Sequence, residues 1–418
     1  MHDITIDNIC DARARFQDAV RRTPVFRSSA LSTMTGGDVW LKAENLQATG
    51  SFKIRGAMSR IGVMTPDERA RGVIAASAGN HAQGVAVAAR AYGVHATIVM
   101  PRTTPLAKVQ ATRGYGAEVI LDGDSYEDAR VLAGELTRER NLVPVPAFDD
   151  PLIVAGQGTV GIEIVEDLGP VQTVLVPVGG GGLAAGIGIA VKTLEPGARV
   201  IGVQVEAAPG VQRSLAEGRA EQVPPAPTIA EGVAVAGPGD VTFPLLQRCL
   251  DDVVVVSEDE VAQAMVLLLE RSKLVVEGAG AVGVAALMSG KVRVSGLRAV
   301  AVLSGGNVDI NMVARVVEHG LMQAGRYFSL TVGLDDKPGQ LATLASLLSA
   351  SGANVLSVAH HRFGIALPVG RVQVVLLLEV RDRDHARDVE RALEEAGFAR
   401  GEERGPEFVP STWRTEAG

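Results

Sequence analysis

The sequence predicts an α/β protein whose parallel sheets are covered by helices on both faces, followed by a ferredoxin-like βαββαβ module. Three observations carry this. Short β-branched runs alternate with helical patterns through Leu303. The runs are apolar throughout rather than alternating, as in strands buried on both faces. After Gly320 the order changes to strand, helix, strand, strand, helix, the pattern of a small split βαβ module.

Taken in order, Val73–Ala76, Ala96–Met100, Glu118–Leu121, Thr173–Val178, Val200–Val205, Val253–Val256 and Ala299–Leu303 read as strands. Helical periodicity fills Asn80–Tyr92, Ser125–Arg140, Ala184–Leu194 and Glu258–Glu270 between them. Ala220–Gly239, rich in Pro, Gly and Ala, is expected to wrap over the surface. His319–Arg326 reads as a linker. Beyond it, Tyr327–Leu334, Ala353–His361 and Arg371–Val380 are expected strands, and Leu341–Ala350 and His385–Ala396 expected helices. Asp335–Gly339 is a turn with helix-start chemistry, and a last strand is expected near Glu407–Val409.

Composition narrows the function classes. The 418 residues are 47% hydrophobic and 21% charged, the balance of a soluble globular protein. A net charge of -8 argues against a nucleic-acid surface. Cys10 and Cys249 are the only cysteines, too few for a disulfide framework or a Cys-rich metal site. The start lacks the basic and apolar regions of a signal peptide, and the apolar runs are strand-length. A cytoplasmic protein without membrane partners is the expectation.

Three segments carry chemistry. In Ser51-Phe52-Lys53-Ile54-Arg55-Gly56-Ala57 a lysine stands between apolar neighbours. Burial there would lower its pKa and free an amine able to form a Schiff base with a carbonyl, including the aldehyde of pyridoxal phosphate. The plainer reading is a surface lysine on an amphipathic helix through Ile54, Met58 and Ile61. In Ser77-Ala78-Gly79-Asn80-His81, after a strand and opening a helix, exposed N–H groups suit a carboxylate or cofactor oxygen. Simple N-capping by Ser77 or Asn80 explains the same residues.

The third segment is Gly179-Gly180-Gly181-Gly182-Leu183, again between strand and helix, a cup of backbone N–H groups for a phosphate. Gly180, Gly182 and Ala185 also fit a dinucleotide fingerprint with Glu206 as the ribose-binding acid. A nicotinamide dehydrogenase is therefore the rival reading, though it leaves Lys53 and Asn80 without a role. A fourth piece, Leu303-Ser304-Gly305-Gly306-Asn307, ends an apolar strand and offers a hydroxyl to a ring nitrogen, or is an ordinary turn. Loops at the carboxyl ends of different strands can meet in one cleft.

Together these segments, over about residues 5–320, resemble the fold-type II (tryptophan synthase β-like) pyridoxal-phosphate enzymes, and within them the threonine dehydratases. The resemblance implies that Lys53 holds pyridoxal 5'-phosphate and later takes the Cα proton. It implies that Gly179 to Leu183 bind the phosphate, Asn80 the phenolic oxygen and Ser304 the pyridine nitrogen, with Phe52 beside the ring. Ser77, Ala78, Gly79, Asn80 and His81 would clasp the substrate carboxylate. L-Threonine, and L-serine beside it, would be dehydrated and deaminated to 2-oxobutanoate or pyruvate and ammonia. Serine racemases carry a second serine where Ala78 stands, and β-replacing synthases typically differ after the lysine, where Ile54-Arg55 fits the dehydratases. The racemase-type cation site is incomplete, since Gly210-Val211-Gln212 lacks an acid beside Glu206, so no metal is expected.

The tail resembles an ACT domain through Asp335–Leu341, Gly352-Ala353-Asn354-Val355 and His360-His361-Arg362. The two histidines are neighbours on a strand and point to opposite faces, a poor metal pair. The topology lacks the paired aromatic motifs of an RNA binder. The resemblance implies a catalytic domain over 1–320, with a smaller subdomain over about 50–150 inserted in the larger one, and a regulatory domain over 327–410. It implies a homodimer or homotetramer with an amino-acid effector such as isoleucine or valine, or a purely structural role for the tail. Isoleucine biosynthesis and threonine breakdown both stay open, as does a sensor that kept the fold and lost turnover.

Overall fold

The computed structural model describes residues 4–16, 18–362 and 369–400, without the side chains of the last two. It divides into two units, Met1–Val313 and Ala314–Gly418. The first contains strands β1 (Val25–Arg27), β2 (Asp38–Ala43), β3 (Val73–Ala76), β4 (Ala96–Met100), β5 (Glu118–Leu121), β6 (Val143–Pro144), β7 (Thr173–Pro177), β8 (Arg199–Val205), β9 (Asp252–Val256) and β10 (Arg298–Leu303). They form a six-stranded sheet in the order β1-β2-β10-β7-β8-β9 and a four-stranded sheet in the order β5-β4-β3-β6. Every pairing is parallel except β1 with β2, an antiparallel edge.

All seven strands expected in this unit are present, and the hydrophobic runs explain why. The five residues of β7 are buried, as are the last five of β10. Strands β1 and β2 and the two-residue β6 are additions. Asp38-Val39-Trp40-Leu41-Lys42-Ala43 hides its strand character because Lys42 reads as a surface charge, yet Lys42 is fully buried. The Pro151–Leu168 and Gly278–Met288 helices are also additions. Each is apolar nearly all round, and such a helix lacks the stripe that reveals helical period. Asp150 starts the first of them by accepting the N–H groups of Leu152 and Ile153.

Two placements follow from this topology. Adjacent strands β7 and β10 end in the glycine loop and in Ser304, so these loops are neighbours. Strand β3 of the other sheet ends in Ser77. Ala220–Gly239 is exposed over most of residues 220–227, as its composition suggested, and turns inward beyond them. Ala230 and Val233 are buried, and residues 231–236 line an internal cavity. Small side chains here serve close approach, not exposure.

The second unit holds β11 (Tyr327–Asp335), β12 (Asn354–His361), β13 (Arg371–Glu379) and β14 (Ala399–Arg400) in an antiparallel sheet ordered β12-β13-β11-β14. Leu330, Val332 and Leu334 of β11 and Val372, Val374, Leu376 and Leu378 of β13 pack on Leu344, Leu348, Val389 and Leu393 of the Gln340–Ala350 and Arg383–Glu395 helices. The fourth strand is thus Ala399–Arg400, and Glu407–Val409 lies outside the described residues. His319–Arg326, expected as a linker, is helical as far as Gln323 within the Ile310–Gln323 helix.

Candidate active site

Lys53 opens the Lys53–Gly62 helix, and the chain entering it is tied to the end of β10. Ser51 bridges Gly305, the Phe52 N–H donates to Ser304 O at 3.1 Å, and the Gly306 N–H donates to Gly50 O at 2.8 Å. Gly50 has φ of +72°, a left-handed turn that favours glycine. The Lys53 side chain keeps one face open to the cavity, and its Nζ donates to Ala147 O at 2.8 Å. Nζ also lies 5.2 Å from the centre of the Phe52 ring. Burial pushes its pKa down to about 8, against the opposing pull of Glu277. The surface-lysine reading therefore fails, although the amphipathic helix is real.

The lysine-bearing turn is clasped by neighbouring helices. A Cβ on Gly84 would lie 3.0 Å from the backbone of Lys53, one on Gly156 2.5 Å from Arg55 O, and one on Gly56 2.4 Å from Gln157 Nε2. Arg55, two residues on, is fully buried and reaches Glu44 (2.8 Å) and Glu163 (2.6 Å). Lys42 Nζ completes the cluster, donating to Glu163 at 2.6 Å and to Thr23 O at 2.8 Å. Burial opposes the guanidinium charge, but the two carboxylates outweigh it and hold Arg55 more firmly protonated than usual. Two cations and two anions leave this buried cluster neutral, and it pins the lysine helix to β2 and to the Pro151–Leu168 helix.

Ser77 to His81 form the second wall. Gly79 is the N-cap of the Asn80–Ala91 helix, with no side-chain cap, so neither Ser77 nor Asn80 performs the capping considered from sequence. Ser77 Oγ accepts the Gly79 N–H at 3.2 Å. Asn80 Nδ2 donates to Glu277 Oε1 at 2.8 Å, and Asn80 Oδ1 accepts from Asn307 Nδ2 at 2.7 Å. His81 lines the cavity, but its Nε2 donates to Val145 O at 2.8 Å. Burial, with Lys53 nearby, pushes the His81 pKa down to about 3, so the ring is neutral at physiological pH.

The third wall is the glycine loop. Gly181 has φ of +95° and is the N-cap of the Gly182–Leu194 helix. A Cβ on Gly180 would strike the Phe148 ring at 2.4 Å, and one on Gly179 would lie 3.1 Å from Val233 Cα. The glycines let this helix start press against its neighbours with its N–H groups bare of side chains. Ser304, only 3% exposed, closes the wall from the end of β10.

One cavity of about 820 Å³ is lined by the residues that the resemblance assigns to cofactor and substrate, Phe52 and Lys53, Ser77 through His81, Gly179 through Leu183, and Ser304, whereas Ala185 and Glu206 of the rival dinucleotide reading do not line it. The group that sequence reasoning missed is Glu277. It ends the apolar Val275-Val276 and precedes Gly278, so the argument applied to Lys53, a charge among apolar neighbours, would have found it. Its N–H donates to Gly305 O at 3.1 Å. Burial pushes its carboxyl up to about 7, eased by the Asn80 hydrogen bond and by Lys108. An amine with lowered pKa, a glycine-lined helix start and a buried hydroxyl facing one space fit an aldehyde cofactor carrying a phosphate.

Comparison with known proteins agrees with this geometry. Residues 16–305 match the family of pyridoxal-phosphate dependent enzymes, and residues 328–398 match the ACT domain. An L-threonine ammonia-lyase of Thermotoga maritima is 48% identical over 395 residues, covering 94% of this chain and 98% of that one. The processed form of threonine deaminase isoform 2 from Solanum lycopersicum superposes with a TM-score of 0.73 at 36% identity, over 76% of this chain and 88% of that one. Maize serine racemase gives 0.72 at 34% identity, over 76% and 98%. The chain belongs to the pyridoxal-phosphate dependent enzyme family. Its second unit carries an ACT domain.

Proposed function

We propose that this chain is a pyridoxal-phosphate dependent L-threonine ammonia-lyase, converting L-threonine to 2-oxobutanoate and ammonia, with L-serine as a second substrate. The observation that supports it best is the convergence of Lys53, Asn80, the glycine loop and Ser304 on one cavity, in a chain 48% identical to an L-threonine ammonia-lyase. When bound, pyridoxal phosphate supplies a conjugated system that spreads negative charge arising at the substrate Cα.

The chain's own residues do the rest. Lys53 would hold the cofactor aldehyde, and its amine, once free, would take the proton from Cα. A pKa of about 8 leaves part of that amine neutral near physiological pH. Backbone N–H groups from Gly179 to Leu183 would hold the phosphate, and Asn80 would donate to the phenolic oxygen. Phe52 would pack beside the ring. Ser304 would offer the pyridine nitrogen a neutral hydroxyl rather than a carboxylate. The uncapped helix start at Ser77–His81 receives the substrate carboxylate. His81 contributes backbone and wall there, since its ring is committed to Val145. Ala78 bears no group able to pass a proton to the opposite face of Cα, which disfavours racemisation.

The proposal extends to organisation: a catalytic domain over 1–320 with a smaller lobe over about 50–150, and a regulatory domain over 327–410. Among the described residues no helix is long and apolar enough to cross a membrane, and a cytoplasmic homodimer or homotetramer is proposed. The ACT domain responds to isoleucine or valine.

The test is release of 2-oxo acid from L-threonine by the purified protein, with L-serine and added isoleucine in parallel. Formation of 2-oxobutanoate supports the lyase, and its suppression by isoleucine supports the regulatory role. Bound cofactor with no 2-oxo acid from either substrate would overturn the assignment in favour of a synthase or a sensor.

A further inference from the structure

Behind the glycine loop, one carboxylate organises the chain that supports it. Asp149 stands between β6 and the Pro151–Leu168 helix. Its Oδ1 accepts the N–H groups of Val241 at 2.9 Å and Thr242 at 3.0 Å, and its Oδ2 accepts that of Asp240 at 3.0 Å. These groups belong to the turn that opens the Thr242–Cys249 helix, between β8 and β9. A Cβ on Gly239, just before them, would lie 2.0 Å from the Asp149 carboxyl carbon, so the turn is pressed onto this side chain.

The turn passes its position on to the glycine loop. Thr242 is fully buried, and its Oγ1 donates to Gly180 O at 2.8 Å while accepting the Gly239 N–H at 2.9 Å. In a trans peptide the C=O and N–H point in opposite directions, so the bond that holds Gly180 O also aims the Gly181 N–H away from Thr242. Gly180 and Gly181 line the cavity, whereas Asp149 and Thr242 do not. A run of glycines rotates freely about its backbone, and such a loop keeps one peptide orientation only if something outside it does the holding. The stretch that bears Asp149 also bears Ala147, whose carbonyl accepts from Lys53 Nζ at 2.8 Å.

We propose that Asp149 and Thr242 are positioning residues that hold the Gly180 peptide with its following N–H turned toward the cofactor phosphate. Asp149 fixes the turn, the turn fixes the Thr242 hydroxyl, and the hydroxyl fixes the peptide. This rests on the reading of the glycine loop as the phosphate site.

The experiment loads the full chain with pyridoxal phosphate or with pyridoxal, which lacks the phosphate, and measures both dissociation constants by equilibrium dialysis. Thr242→Val removes the hydroxyl at nearly constant shape. If the freed peptide faces the cavity a tenth of the time, the constant for pyridoxal phosphate rises about tenfold, and that for pyridoxal stays the same. Thr242→Ser keeps the hydroxyl and the wild-type preference. Asp149→Asn, which loses one of the two acceptor oxygens, shifts the preference in the same direction as Thr242→Val and decides the matter by the same ratio should that variant not fold. A merely structural role weakens both ligands equally or lowers only the melting temperature, and either result overturns the proposal. A wild-type chain that prefers pyridoxal phosphate, with a preference unchanged in the variants, removes the relay alone. A wild-type chain that binds the two equally removes the reading of the loop as well.

Discussion

The side-chain amide of Asn80 and the carboxyl of Glu277 meet at 2.8 Å, although 197 positions separate them in the chain. The contact joins the helix after β3 of one sheet to a segment hydrogen-bonded to the end of β10 in the other. Burial raises this carboxyl to about 7 against the Asn80 hydrogen bond, in the same cavity where burial lowers the Lys53 amine to about 8.

Glu277→Gln is therefore expected to move the acid limb of the kcat profile to lower pH. Lys53 takes a proton only as the free amine, so turnover rises as pH passes through its pKa. Glu277 raises that pKa, and deleting its charge lowers it. The profile of kcat reports groups in the substrate complex, where the amine is free. A limb that stays in place or moves upward would show that Glu277 does not act on Lys53.

Lys53→Ala is expected to lower L-threonine deamination on the order of a thousandfold or more, since both the covalent hold on the cofactor and the base are lost. The visible absorbance of the lysine-linked cofactor should vanish as well. Retention of that band after dialysis would place the linkage elsewhere.

Arg55→Met leaves Glu44 and Glu163 buried with Lys42 as the remaining cation of the cluster. Breaking a buried ionic group in this way costs about 3–5 kcal/mol, visible as a lowered thermal midpoint. Arg55→Lys should recover only part of the loss, because an ammonium lacks the planar fork by which Arg55 makes two bonds to each carboxylate. Equal midpoints for wild type and Arg55→Met would refute the role given to the cluster.

Gly180→Ala places a methyl group 2.4 Å from the Phe148 ring. Overpacking of this kind costs roughly 1–3 kcal/mol, and if the glycine loop absorbs it, cofactor affinity falls by about tenfold or more. Equilibrium dialysis against pyridoxal phosphate measures this directly. Unchanged affinity would mean that the loop does not hold the phosphate.

What the sequence revealed follows from what it encodes locally. Strands β3, β4, β5, β7, β8, β9 and β10 are continuous apolar runs, and the loops that end β3, β7 and β10 announce themselves through glycine and small polar residues. The buried cluster was not legible. Lys42, Glu44, Arg55 and Glu163 look like surface charges until the fold brings them together, for their compensation is entirely long-range. Glu277 differs from them, for its place after Val275-Val276 marks it as a charge among apolar neighbours, the pattern that singled out Lys53. Within 220–239 the first half is exposed as its composition suggests, but the inward turn of the second half was not legible, because Pro, Gly and Ala mark an exposed loop as readily as one pressed against a glycine helix start.

The three-helix clasp around Lys53 bears on any attempt to alter what this cavity accepts. Gly56, Gly84 and Gly156 leave no room for a methyl group between the lysine turn and its neighbours. Gly84 and Gly156 set this approach through main-chain contact, and Gly56 sets it against the side chains of Gln157 and Ile153. Ala234, Val235 and Ala236 line the chamber from a coil instead, where side chains can change size without parting two helices. A search for variants with a new substrate range should therefore diversify that coil and leave the three glycines untouched.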